Sequence, residues 1–148
     1  MASHPPKANM NRWEHFLLAL AGIYGALGVG LGAYRAHGLK HSLLEAGVDA
    51  AEIAERFTNL GIAVEYGLIH VVAIIALLAT NRKFRSITCL AFACGIFFFS
   101  GSLTVGAIWN MAVPSVIPPT GGILLIGGWI WLIAVAWCGP GAKRPGTC

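Results

Sequence analysis

Glu65, Tyr66 and His70 sit inside an apolar run that extends from Phe57 to Asn81. A carboxyl inside a membrane span costs about 2.5–3.5 kcal/mol on insertion scales, so it must find a partner or a use. A carboxyl and an imidazole could relay a proton or hold a cation. Tyr66 and His70 are spaced i, i+4 and share a helical face. Glu65 and His70 are spaced i, i+5, about 140° apart around a helix, and are not natural co-ligands. The competing role for Glu65 is structural: an anchor, protonated or bonded to Arg35, a serine or the backbone. Any buried acid needs such a partner, so the anchor is the expected role.

Further polar residues fall at the ends of other apolar runs. Arg35 and His37 close the first, Ser100 and Ser102 lie in the third, and Thr120 opens the fourth. With antiparallel crossings these groups converge in one half of the bilayer. The candidate polar cluster is therefore Arg35, His37, Glu65, Tyr66, His70, Ser100, Ser102 and Thr120. A packing network is the alternative, with the serines bonding carbonyls one turn earlier. No catalytic residue is expected, because the chain has no intramembrane Asp pair, no HExxH and no Ser in GxSxG. No metal or cofactor is expected either. His37 and His70 should differ in depth by more than about 15 Å, too far to share one ion. Cys89, Cys94, Cys138 and Cys148 lack CxxC spacing and read as small apolar filler.

The elements that must carry these residues follow from composition. The chain has 148 residues, 57% hydrophobic and 11% charged, with a net charge of +4. Its mean hydropathy is +0.72. So few charges cannot cover a soluble domain of this size, which excludes a soluble enzyme and intrinsic disorder. Nucleic-acid binding is excluded too, since the basic residues flank apolar runs, where a bilayer favours them. The fold class expected is an all-α, integral membrane four-helix transmembrane bundle in a single domain, 1–148. Its helices are expected at about 13–36, 57–81, 84–110 and 120–138. A short interfacial helix is expected within the polar connection 37–56. Pro114, Pro118 and Pro119 divide the last long apolar stretch.

Lys7, Arg12, Arg82, Lys83, Arg85, Lys143 and Arg144 gather on one side of the membrane, against Arg35, Lys40 and Arg56 on the other. The positive-inside rule then puts both termini inside, in a bacterial cytoplasmic (inner) membrane or a mitochondrial inner membrane. Close helix packing is expected at Gly28 and Gly32, a GxxxG pair, and at Gly101, Gly121 and Gly122. Gly22, Ala26 and Gly30 form a second small-residue stripe on the first helix.

Four stretches in register carry a family likeness: Gly32-Ala33-Tyr34-Arg35-Ala36-His37-Gly38-Leu39, Glu65-Tyr66 with His70, Phe99-Ser100-Gly101-Ser102-Leu103, and Pro119-Thr120-Gly121-Gly122 with Gly128-Trp129. Together they resemble the small integral-membrane family catalogued as domain of unknown function 423, transmembrane protein 256-like, over about Trp13 to Trp137. The resemblance implies a four-helix membrane protein and brings no established reaction. It maps onto His37, Glu65, Tyr66, His70, Ser100, Ser102, Pro119, Gly121, Gly122 and Trp129. Arg35 departs from the pattern's glycine, and Thr104 from its tyrosine.

The function expected is a non-catalytic accessory or assembly subunit of a larger membrane complex. Its partners would be the lipid bilayer and other membrane protein subunits, with no nucleic acid. A subunit predicts sensitivity to bulky residues at Gly28 or Gly32. One alternative is a small proton- or solute-conducting transporter using Glu65 and His70. A second is a membrane-embedded metal or lipid-cofactor binder using His37, Glu65 and His70.

Overall fold

Asn11 starts the first helix. Its side-chain oxygen accepts from the Glu14 amide while the Glu14 carboxylate accepts from the Asn11 amide, a reciprocal capping box. The computed structural model describes residues 10–80 and 84–138, with side chains as far as 135. Lys7, Asn81, Arg82, Lys83, Lys143, Arg144 and Cys148, and the side chains of Trp137 and Cys138, lie outside the described set.

Helix α1 spans Arg12–Tyr34, α2 Lys40–Glu45, α3 Ala50–Leu78, α4 Arg85–Trp109 and α5 Ile117–Cys138. Four segments are long and apolar enough to cross a membrane. The protein is an all-α, four-helix integral membrane bundle.

Three boundaries differ from the sequence expectation. The first helix does not end near 36. A π-helical turn, Arg35–Leu39, joins α1 to α2, so one segment runs unbroken from Arg12 to Glu45. The short helix of the polar connection is thus an extension of α1 rather than a lead-in to the next span. Helix α3 begins at Ala50, not 57, because the Asp49 carboxylate caps the amides of Ala51 and Glu52. The chain reverses between α2 and α3 at Gly47, whose φ of +72° suits glycine. Helix α5 begins at Ile117, taking in Pro118 and Pro119, since a first helical turn needs no amide donors.

The two central helices are α3 and α4. Helix α1 packs on the outer side of α3, and α5 on the outer side of α4. Of the apolar window of α4, 44% is buried, against 11% for α1, so α1 turns most of its surface outward. The core has two parts. Leu17, Ala21, Val71, Ile74, Leu78, Cys89, Phe92, Ala93, Ile96 and Leu125 fill the half nearer Asn11. Leu39, Leu43, Ile53, Leu60 and Ala107 fill the half nearer α2.

Glycines set the helix separations. A Cβ on Gly121 would lie 2.8 Å from the Phe99 Cα, and one on Gly28 would lie 2.8 Å from a Leu68 methyl. Val64 comes within 3.5 Å of the corresponding point on Gly32. Gly28, Gly32 and Gly121 are therefore packing positions inside the monomer. Among the described residues, Gly101 has nothing within 4 Å of its missing Cβ, and Gly122 meets only the edge of Phe99 at 3.8 Å.

Candidate functional site

The expected polar cluster is not gathered in one place. Its members divide among separate settings, and a further polar site that the sequence did not reveal lies at the opposite end.

At the α2 end, Arg35 reaches from the start of the π-helical turn to α3. Its Nε donates to the Phe57 carbonyl at 2.8 Å, and its guanidinium carbon lies 3.9 Å from the centre of the Phe57 ring. The guanidinium lies over Gly61, where a Cβ would come within 2.8 Å of it. Arg35 and Glu65 line one groove of about 300 Å³, with Gly32, Thr58, Gly61, Ile62 and Val64. Glu65 is exposed there, and among the described residues no ion pair joins it to Arg35. His37 lies in the same π-helical turn and is exposed.

In the middle of the bundle, His70 is 5% exposed. Its Nδ1–H donates to the Tyr66 carbonyl at 2.7 Å, and its Nε2 accepts from the Trp129 indole N–H at 3.0 Å. Indole can only donate, so Nε2 carries a lone pair and the ring is the neutral Nδ1–H tautomer. Phe92 and Trp129 meet the imidazole edge to face, and Tyr66 stacks along it at 6.4 Å. Both nitrogens are occupied, so His70 joins α3 to α5 and offers no lone pair to a metal or a relay. Glu65 faces a different side of α3, as the spacing required.

The hydroxyls are local. Ser102 donates to the Phe99 carbonyl at 2.8 Å, and Thr120, exposed, to the Val116 carbonyl at 2.7 Å. Ser100 is buried against Gly67, its side-chain oxygen without a hydrogen-bond partner among the described residues.

At the end near Asn11, Glu14 and Arg85 form a buried ion pair, with relative exposures of 4% and 7%. Arg85 Nε meets Glu14 Oε1 at 2.5 Å and Nη2 meets Oε2 at 2.7 Å, a bidentate fork. Ser86 donates to Oε1 at 3.0 Å, and Arg85 Nη1 bonds the carbonyls of Leu78 and Thr80. The pair fastens the start of α1 to the start of α4, and Arg85 reaches on to the end of α3 at Leu78. In the sequence Arg85 reads as a topological charge, and nothing there reveals that it meets Glu14, 71 residues away.

The family model described as Protein of unknown function (DUF423) matches residues 31–122. A UPF0382 membrane protein of Haemophilus influenzae is 34% identical over 118 residues, covering 78% of this chain and 88% of the relative. The UPF0382 membrane protein SH2409 of Staphylococcus haemolyticus is 32% identical over 116 residues, covering 78% and 90%. The UPF0382 inner membrane protein YgdD of Escherichia coli K12 is 30% identical over 127 residues, covering 83% and 90%. No solved structure matches.

Proposed function

We propose that this chain, which belongs to the DUF423 family of membrane proteins, is a non-catalytic accessory subunit that docks a partner's transmembrane helix against the outward face of α1. The observation that carries the reading is the division of small residues on α1. Gly25, Gly28 and Gly32 face α3 and are filled by Val71, Leu68 and Val64. Gly22 and Gly30 lie off that face, with nothing of the described chain within 4 Å of their missing Cβ atoms, and Ala26 between them is exposed. Between apolar helices in lipid, close backbone approach replaces hydrophobic drive, and this face permits it. The subunit reading also fits the fate of the buried ionisable groups. His70 is saturated by Tyr66 and Trp129, and Glu14 by Arg85, Ser86 and Asn11. The reading includes an inner-membrane location with both termini inside, on the count of basic residues.

The test is purification from native membranes in gentle detergent, with co-purifying proteins identified and counted by mass spectrometry. A stoichiometric membrane partner is expected. Gly22→Leu with Gly30→Leu should lose that partner while the protein stays folded, whereas Gly28→Leu should damage the monomer itself. Wild-type protein that emerges alone sinks the reading.

A further inference from the structure

Two opposite charges share the groove at the α2 end without meeting. The Arg35 guanidinium is held by the Phe57 carbonyl at 2.8 Å and by the Phe57 ring, so it cannot swing to Glu65 without giving up both. Its two Nη groups remain for an acceptor. The Glu65 side chain makes no hydrogen bond or ion pair among the described residues. Side chains on a helix lean toward its N-terminus, which carries the Glu65 carboxyl toward the level of Gly61 and Arg35. A cation and an anion thus flank an open volume of about 300 Å³. A ligand that presents an anion to one and a cation to the other satisfies both.

Depth and surroundings identify the kind of ligand. Arg35 follows Arg12 by 23 residues, about 35 Å at 1.5 Å per residue, slightly more than the ~30 Å hydrocarbon core. With Arg12 at one headgroup layer, Arg35 lies at the other. Beyond Glu65 on the same face of α3 come Ile69 and Val72, 56% and 65% exposed, at i+4 and i+7. This apolar strip runs from the charged groove toward the bilayer centre, the path an acyl chain follows. A soluble zwitterion would have no use for it.

We propose that the groove binds the headgroup of a zwitterionic phospholipid that carries a primary ammonium, with the phosphate on Arg35 and the ammonium on Glu65. A planar guanidinium can hold two phosphate oxygens with its two Nη groups, and a carboxylate supplies acceptors to a donating ammonium. The site is on the α3 side of α1, away from Gly22 and Gly30, and stands or falls separately from the subunit reading.

The full chain is reconstituted in vesicles of mixed phosphatidylethanolamine, phosphatidylcholine and phosphatidylglycerol, extracted in mild detergent and weighed intact by native mass spectrometry. Phosphatidylethanolamine is expected to be retained in preference to the other two. Glu65→Gln should reduce that preference by about tenfold, as expected for loss of one charge-assisted contact. Arg35→Gln should reduce retention of all three phospholipids. Because Arg35 also contacts α3, the Glu65→Gln result decides the case on its own, with helical content checked by circular dichroism. Equal retention of the three headgroups by the wild type, or an unchanged preference in Glu65→Gln, overturns the proposal. So does displacement of the lipid by free phosphoethanolamine at matched concentration, which would mark a soluble zwitterion as the ligand.

Discussion

An arginine and a glutamate meet at one end of this bundle and stay apart at the other. Arg85 and Glu14 are bidentate, buried and further bonded to Ser86, the Asn11 amide and two carbonyls. Arg35 and Glu65 line a common groove, with Arg35 turned to a carbonyl and a ring, and Glu65 exposed. The residue types are the same, but their surroundings give them different work. Where every donor and acceptor is met from within the chain, the pair ties helices together. Where the donors and acceptors point into open volume, the charges are available to something else.

The largest effect is expected at the closed pair. Removing one partner of a buried ion pair costs about 3–5 kcal/mol, because the survivor stays buried and uncompensated. Glu14→Ala should therefore lower the midpoint of an SDS titration in mixed micelles more than any substitution in the outer groove. Glu14→Leu combined with Arg85→Met should recover much of that loss, since an apolar pair of similar volume leaves no orphaned charge. If Glu14→Ala shifts the midpoint no more than a surface change does, the pair is not the tie described.

Four spans and the proline break before the last could be read from the sequence, because apolar length and Pro are local signals. Helix boundaries were less legible. The apolar run marks where lipid begins, around Phe57, while the helix begins where Asp49 caps it. The two ties that organise the bundle were not legible at all. Glu14 and Arg85 are separated by 71 residues, and His70 and Trp129 by 59. Nothing in either partner's neighbourhood names the other. The expected cluster of eight polar residues joined groups by depth alone, and depth leaves open which face of its helix each side chain occupies. Gly28 and Gly32 illustrate the same gap. Their spacing was visible, but only the packing shows that α3 already fills them, leaving Gly22 and Gly30 for any partner.

The His70–Trp129 bond lies between the two extremes, being buried and satisfied but neutral. Trp129→Phe keeps an aromatic ring against Phe92 and removes the indole donor, so the His70 Nε2 lone pair is left buried and unmet. That should cost about 1–3 kcal/mol, less than Glu14→Ala because no charge is stranded. Adding His70→Phe should bring the midpoint back toward wild type, since removing both partners removes the unmet group. A double variant no better than Trp129→Phe would mean that ring packing, rather than the hydrogen bond, holds α5 in place.

The smallest effect on stability is expected at Glu65, and there the comparison becomes most specific. Glu65 is exposed and has no hydrogen-bond or ion-pair partner within the described chain, so Glu65→Gln removes a charge and breaks no tie. In lipid-free mixed micelles its midpoint should stay within about 0.5 kcal/mol of wild type, as for surface substitutions away from packed features. The same isosteric change at Glu14 removes the charge facing Arg85 and should cost several-fold more. A Glu65→Gln loss as large as that of Glu14→Gln would mean that Glu65 is a structural anchor after all, and the distinction between the closed pair and the open groove would fail.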